Sequence, residues 1–376
     1  MAAIKAPAGG SILMAALALP GVAHAETPPE SASLSFKYLD YADWQASLDR
    51  IRVKSPALEL VLPVAGEWSL RAGYVGDAIS GASPRYHTAV SGASRFEEKR
   101  RAADLAVTRY FQRSSVTVAA GRSSETDYLS RFASVRGTLS SDDNNTTWTF
   151  GAGVANDRID PVNDAVEGER KHTSDFMAGV TRVMTPRDLV QAVLSYARGR
   201  GYFSMPYKYL DNRPRRHDQN SLLLRWNHRL AKGEATSRSS YRYFSDTYGI
   251  RAHTLQQEYA RELPGGWTLT PSLRLHTQSA ANFYFDPVYD PVFGPPFPPG
   301  FDFAQQRDLS ADQRLSAFGA VTLGLKVEKQ VGANSSVELK LERYRQRGAW
   351  RLFGSGSPGL EDFEARSVVV GWNFRW

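Results

Sequence analysis

The most constraining feature of this chain is a period-two alternation of apolar and polar residues, sustained over stretches too long for an ordinary soluble strand. In Gly266–Gln278, Trp267, Leu269, Leu273 and Leu275 alternate with Thr268, Thr270, Ser272, Arg274, His276 and Gln278. In Gln313–Glu328, Leu315, Ala317, Val321, Leu323, Leu325 and Val327 oppose Arg314, Ser316, Thr322, Lys326 and Glu328. The final stretch sets Val368, Val370, Trp372, Phe374 and Trp376 against Ser367, Gly371, Asn373 and Arg375. Such a pattern gives a strand two faces of opposite character. Strands of sandwiches run about 5–6 residues. These run about 9–15, the length of a tilted strand that crosses a bilayer. Beyond the N-terminal region no run of about 18 apolar residues exists, so helical spans are excluded.

The connections support the same reading. Short ones centre on Ala65-Gly66, Gln112–Ser114, Asp142–Asn145, Pro186-Arg187, Lys232-Gly233, Pro264–Gly266 and Gly332–Asn334. Mostly longer ones lie between them, near 76–98, 122–127, 156–172, 200–217, 245–249, 283–309 and 346–362. Outer-membrane barrels alternate in this way, with short periplasmic turns and longer external loops. Seven turns and seven loops join fifteen strands, and Ser33–Tyr41 adds an outward one before them. The expectation is an all-β, antiparallel up-and-down transmembrane barrel of about sixteen strands. Fourteen is the alternative, with Ser114–Arg122 as the doubtful strand. Aromatics near strand ends, among them Trp68, Tyr74, Trp148, Tyr196, Trp226, Tyr243, Trp267 and Trp372, are candidates for interfacial girdles.

Residues 1–25 read as an export signal. Lys5 precedes an apolar run, Ser11–Leu19, which Pro20-Gly21 breaks before Ala23-His24-Ala25. The domains expected are therefore 1–25, a signal peptide, and 26–376, a barrel of the bacterial outer membrane. The chain has no Cys, which removes disulfides, thiolate metal sites and cysteine nucleophiles.

Several stretches resemble an uncharacterised Gram-negative family of predicted outer-membrane barrels, a domain of unknown function. They are Asp77–Pro84, Ser124–Tyr128, Asp143–Phe150, Gly179–Thr185, Gly201–Lys208, Tyr241–Gly249, His253-Thr254 and Asp312–Gly319. Where the family usually reads Asp-Pro-Tyr-Lys, this chain has Met205-Pro206-Tyr207-Lys208 and lacks the acid. The ending Phe374-Arg375-Trp376 is similar to the aromatic signal read by barrel-assembly machinery. The resemblance implies fold and location, and no activity.

Of 46 basic residues, 36 are Arg, against 39 acids, for a net charge of +7. Arg225, Arg229, Arg274 and Arg314 fall on the polar phase of their strands. Arg on the lipid face at mid-membrane costs about 2–4 kcal/mol, so these residues are expected to line the lumen, with His276. Sixteen strands enclose water, and a cationic wall favours anions. The function expected is a porin-like passive channel. A membrane scaffold or conduit for a periplasmic, redox-type partner is the second reading, and an outer-membrane enzyme using His253 or His276 the third. No nucleophile elbow or ordered triad supports the last, so no enzyme is expected. Basic loop ends such as Arg213–Arg216 are candidates for lipopolysaccharide phosphates. No cofactor and no nucleic-acid partner is expected. Asp286, Asp290 and Asp302, in the Pro-rich loop Phe283–Phe303, match no calcium-loop template.

Overall fold

The computed structural model describes residues 27–45, 48–81, 96–208, 210–230, 235–286 and 300–376. The predicted export signal lies outside them. One closed, wholly antiparallel wall is built from β1 (Ser33–Gln45), β2 (Leu48–Val64), β3 (Trp68–Gly81), β4 (Phe96–Tyr110), β5 (Ser114–Ser124), β6 (Tyr128–Ser140), β7 (Thr146–Ile159), β8 (Glu169–Thr185) and β9 (Asp188–Gly201). Two residues, β10 (Asp211–Asn212), stand apart from it. The wall continues with β11 (Arg216–Arg229), β12 (Ala235–Asp246), β13 (Arg251–Leu263) and β14 (Trp267–Gln278), skips the short β15 (Leu309–Ser310), and ends with β16 (Phe318–Val331), β17 (Ser335–Arg347) and β18 (Phe363–Arg375). β10 and β15 pair with each other as a two-stranded sheet, and Ser310 of β15 also bridges Tyr284. Sixteen strands close the wall, as the alternation predicts.

The fourteen-strand alternative is excluded by β5. Its 11 residues pair with β4 along one edge and with β6 along the other. Closure runs through β1 and β18, which pair without a break from Ser33↔Arg375 to Gln45↔Phe363. Backbone groups in hydrocarbon find no water to bond, so a spanning sheet needs this closure.

The alternation resolves into two faces. Leu105, Val118, Phe150, Phe176, Leu194, Leu224, Leu273 and Leu323 are exposed on the outer face. The interleaved residues are buried or half-buried inside. Five tryptophans, Trp68, Trp148, Trp226, Trp267 and Trp372, are exposed at the end of the short turns, which is the periplasmic end. Trp372, Phe374 and Trp376 stack in series at 5.8 and 5.7 Å. There Ala32 and Trp376 exchange backbone hydrogen bonds of 3.0 and 3.1 Å. The tight turns follow from local chemistry. Ala65 and Gly66 take φ of 48° and 72°, the hand that matches the twist of a β-hairpin. Asp143 accepts from the backbone N–H of Asn145 at 3.1 Å.

The faces give a direct stability prediction. Leu194 lies mid-strand in β9 and is 61% exposed to the hydrocarbon side. Leu194→Arg is expected to cost about 2–4 kcal/mol, read as a lowered urea midpoint in phospholipid vesicles.

One sequence expectation needs correction here. Arg314 is not a wall residue. It sits in a short 3-10 turn, Gln313–Leu315, and β16 begins only at Phe318. The cause is Asp312, which caps the turn by accepting from the Arg314 backbone N–H at 3.0 Å. A side chain that captures the backbone in this way competes with the ladder and delays the strand.

Candidate functional site: the inner wall and its extracellular cap

The inner faces of β11–β14 bring together most of the arginines singled out in the sequence. In register, Gln191, Arg225, Ser240, Gln256, Arg274 and Thr322 form one rung across six strands. The next rung outward places Arg242, Thr254, His276 and Ala320 side by side. Arg225 donates to Gln191 Oε1 at 3.1 Å, and Arg274 to Gln256 Oε1 at 3.0 Å. His276 Nδ1 shares a hydrogen with Thr254 Oγ1 at 2.8 Å. Neither Arg242 nor Arg274 has an ion-pair partner among the described residues. Arg229 shares this phase at the periplasmic end of β11. Sequence reasoning missed Arg242, although Arg238 and Arg242 alternate with Ser237, Ser239 and Tyr241 as the others do.

Elsewhere on the inner wall several charges meet in pairs. Arg71 bridges Glu59 and Asp104 at 3.4 and 2.6 Å. Lys37 meets Glu338 at 2.8 Å, Lys326 meets Glu328 at 3.0 Å, and Lys340 meets Glu342 at 2.9 Å. Lys171 and Asp157, both buried, pair at 3.0 Å beside Tyr128. Arg242 and Arg274, without an ion pair among the described residues, lie on the β12–β14 side. Two other histidines face elsewhere: His228 reaches Asp188 at 2.8 Å beside Trp226, and His253 bonds Tyr241 at 2.7 Å.

Above the wall, the long connections fold together at the extracellular mouth. Asp312 is their hub and its side chain is fully buried. It accepts from Lys208 Nζ at 2.8 Å, from Arg213 Nη2 at 2.7 Å and from the Arg314 guanidinium at 3.0 Å. Arg213 also donates to Asp211 at 2.9 Å. Burial works to raise the Asp312 carboxyl, yet the three cations hold it well below the usual carboxylate range. Burial brings Lys208 down to about 8 despite Asp312. The β10–β15 sheet joins residues 202–215 to the segment that carries Asp312. Leu315 packs with Tyr248, Ile250, Ala281 and Phe283, and Phe285 with Leu309 and Ala311. Gln45 of β1 donates to Gln313 at 3.1 Å, which ties the cap to the wall.

The basic loop ends are largely occupied in this way. Arg213 belongs to the hub, Arg215 pairs with Glu169, and Arg216 pairs with Asp218 at 2.5 Å. Part of the Pro-rich loop, with Asp290, lies outside the described residues. Asp286 accepts from Tyr284 at 3.1 Å, and Asp302 from the Ala304 backbone N–H at 2.8 Å. Among the described residues no three acids or histidines gather around a metal position.

The model of a protein family described as a protein of unknown function (DUF3570) matches residues 87–168 and 163–367. The chain belongs to this family. Nothing among the curated proteins matches this DUF3570 chain. Among solved structures, it is similar to a bacterial polysaccharide outer membrane secretin, with 12% identity, a TM-score of 0.54 and coverage of 92% of this chain and 98% of that one. It is also similar to OccD3 (OpdP) of Pseudomonas aeruginosa, with 10% identity, a TM-score of 0.45 and coverage of 93% and 92%. At these identities the likeness is one of fold. A closed sixteen-strand wall with an apolar outer face, similar in fold to an outer-membrane protein, places the DUF3570 chain in the bacterial outer membrane.

Proposed function

We propose that the barrel is a passive, porin-like channel that favours anions and is narrowed at its outer mouth by the loop cap. The observation that carries this reading is the pair Arg242 and Arg274, set two strands apart on the inner wall with no ion pair. Strands are spaced about 4.8 Å, so two guanidinium stems stand roughly 10 Å apart on one surface. A cationic surface in a water-filled cylinder enriches anions and repels cations. Gln256 orients Arg274 without neutralising it. A barrel of this strand number has room for water between its walls.

The test is electrical. Purified protein in a planar bilayer is expected to give discrete conductance steps, with a reversal potential of the anion-selective sign in a KCl gradient. A silent bilayer at every voltage, or a cation-selective reversal, ends the proposal.

A further inference from the structure

The outer face carries a second cationic feature, unconnected with the lumen. On β5 to β11 the outward apolar ladder ends and arginines follow it on the same face. Val118, Val135, Val154, Phe176 and Leu194 are exposed outward. Arg122, Arg131, Arg158, Arg170 and Arg200 lie four to six residues further toward the extracellular side on those strands. At about 3.3 Å per residue and a 35–45° tilt, that is roughly 10–15 Å above the apolar side chains. This is the level of the outer-leaflet headgroups.

The register sharpens the point. Arg122 faces Arg131, Arg158 faces Arg170, and Arg200 faces Arg216 directly across neighbouring strands. Like charges placed opposite each other destabilise a sheet. Arg158 has Asp160 and Arg216 has Asp218. Arg122, Arg131, Arg170 and Arg200 are exposed and have no ion-pair partner among the described residues. The other side of the barrel is different. There the outward Arg343 and Arg345 share Glu364, and Arg347 takes Asp362. Arg343, Arg345 and Arg347 are thus neutralised there, although Arg366, directly opposite Arg343, is exposed with no ion pair among the described residues.

We infer that the β5–β11 flank is a docking surface for the phosphate groups of lipopolysaccharide in the outer leaflet. The Arg122–Arg131 pair presents two guanidinium forks to one phosphate, the geometry in which charge-assisted hydrogen bonds are strongest, and Arg170 and Arg200 present one each. The bound anion removes the repulsion within the pair. A free phosphate ion offers the same chemistry, and a lipid adds acyl chains that pack against the apolar ladder below. The chains and the phosphate thus engage adjoining parts of one face.

Native mass spectrometry of the full-length mature barrel tests this, with lipid A as the probe and phosphatidylcholine as the uncharged comparison. The wild-type barrel is expected to retain lipid A and not phosphatidylcholine. Arg131→Gln, Arg170→Gln and Arg200→Gln together are expected to weaken retention by about tenfold or more. A variant of the opposite flank, Arg343→Gln with Arg345→Gln, is expected to retain lipid A as wild type does. Heat-modifiable mobility on gels establishes that each variant is closed. Full retention by the triple variant overturns the inference, and so does equal loss in the opposite-flank variant. Stripping of lipid A by inorganic phosphate at matched phosphate concentration also overturns it, because the surface would then be a phosphate site and not a lipid one.

Discussion

A barrel carrying Arg242→Glu and Arg274→Glu is expected to reverse its ion preference. Both side chains belong to the inner rungs of β12 and β14, and neither takes part in an ion pair whose loss would disturb the wall. The exchange alters the local charge by four units on a surface whose nearest neighbours are Gln256, Thr254 and His276. Each unit charge about 10 Å from a passing ion is worth on the order of 0.4 kcal/mol in water and 1.7 kcal/mol at an effective dielectric of 20. Four such units exceed thermal energy severalfold, enough to turn an anion excess into a cation excess. The measurement is the reversal potential in a KCl gradient, before and after substitution. Raising the salt to 1 M shortens the screening length to about 3 Å and is expected to shrink the difference. An unchanged sign at low salt would show that these arginines do not face the conducting path.

The second large effect is expected at Asp312. Its carboxylate is the common acceptor for Lys208, Arg213 and Arg314, and it is fully buried. Asp312→Asn leaves a cluster of cations with Asp211 as their remaining close acid. Removing one partner from a buried ionic cluster costs about 3–5 kcal/mol. The barrel wall does not depend on this cluster, since its sixteen strands are bonded to one another. The cost therefore falls on the cap. The variant is expected to keep its heat-modifiable closed barrel while residues near 202–215 and 300–317 become accessible to protease, with a rise in single-channel conductance. Unchanged conductance together with unchanged proteolysis sinks the view of Asp312 as the latch. Acid should do little to the wild type in the ordinary range. The folded carboxyl titrates well below its unfolded value, so its contribution is present above about pH 4 and is lost only as pH falls through the lower folded value. Conductance of the wild type is accordingly expected to hold steady from pH 7 to pH 4.

The wall was legible because its physics is local and repetitive. Two residues per repeat decide which face a side chain takes, and a pair such as Leu273 and Arg274 carries that decision in its own chemistry. The turn at Ala65-Gly66 announced itself in the same way. The inner phase of Arg225, Arg274 and His276 followed from alternation alone. Arg314 shows where that reasoning stops. It continued the period of β16, but a preceding aspartate took its backbone and its guanidinium together. The cap was illegible for a related reason. Lys208 and Arg213 are distant in sequence from Asp312 and meet it only because β10 finds β15. The signal was present in another form: Lys208 and Asp312 lie in Gly201–Lys208 and Asp312–Gly319, two segments noted for their family resemblance. Those segments converge on one hub at the mouth, where nothing in their periodicity required them to meet.

The seam between β1 and β18 has a consequence for biogenesis. Every other wall pairing except β9–β11 and β14–β16 joins strands consecutive in the chain and can form as a local hairpin. The seam joins the earliest strand to the latest, so it carries the greatest loop-closure cost and must form last or nearly so. Until it forms, two strand edges stay open to any other chain with an unpaired edge. A substitution that slows this final pairing would surface as lost yield and aggregation during synthesis, while the barrels that did finish would be as robust as the wild type.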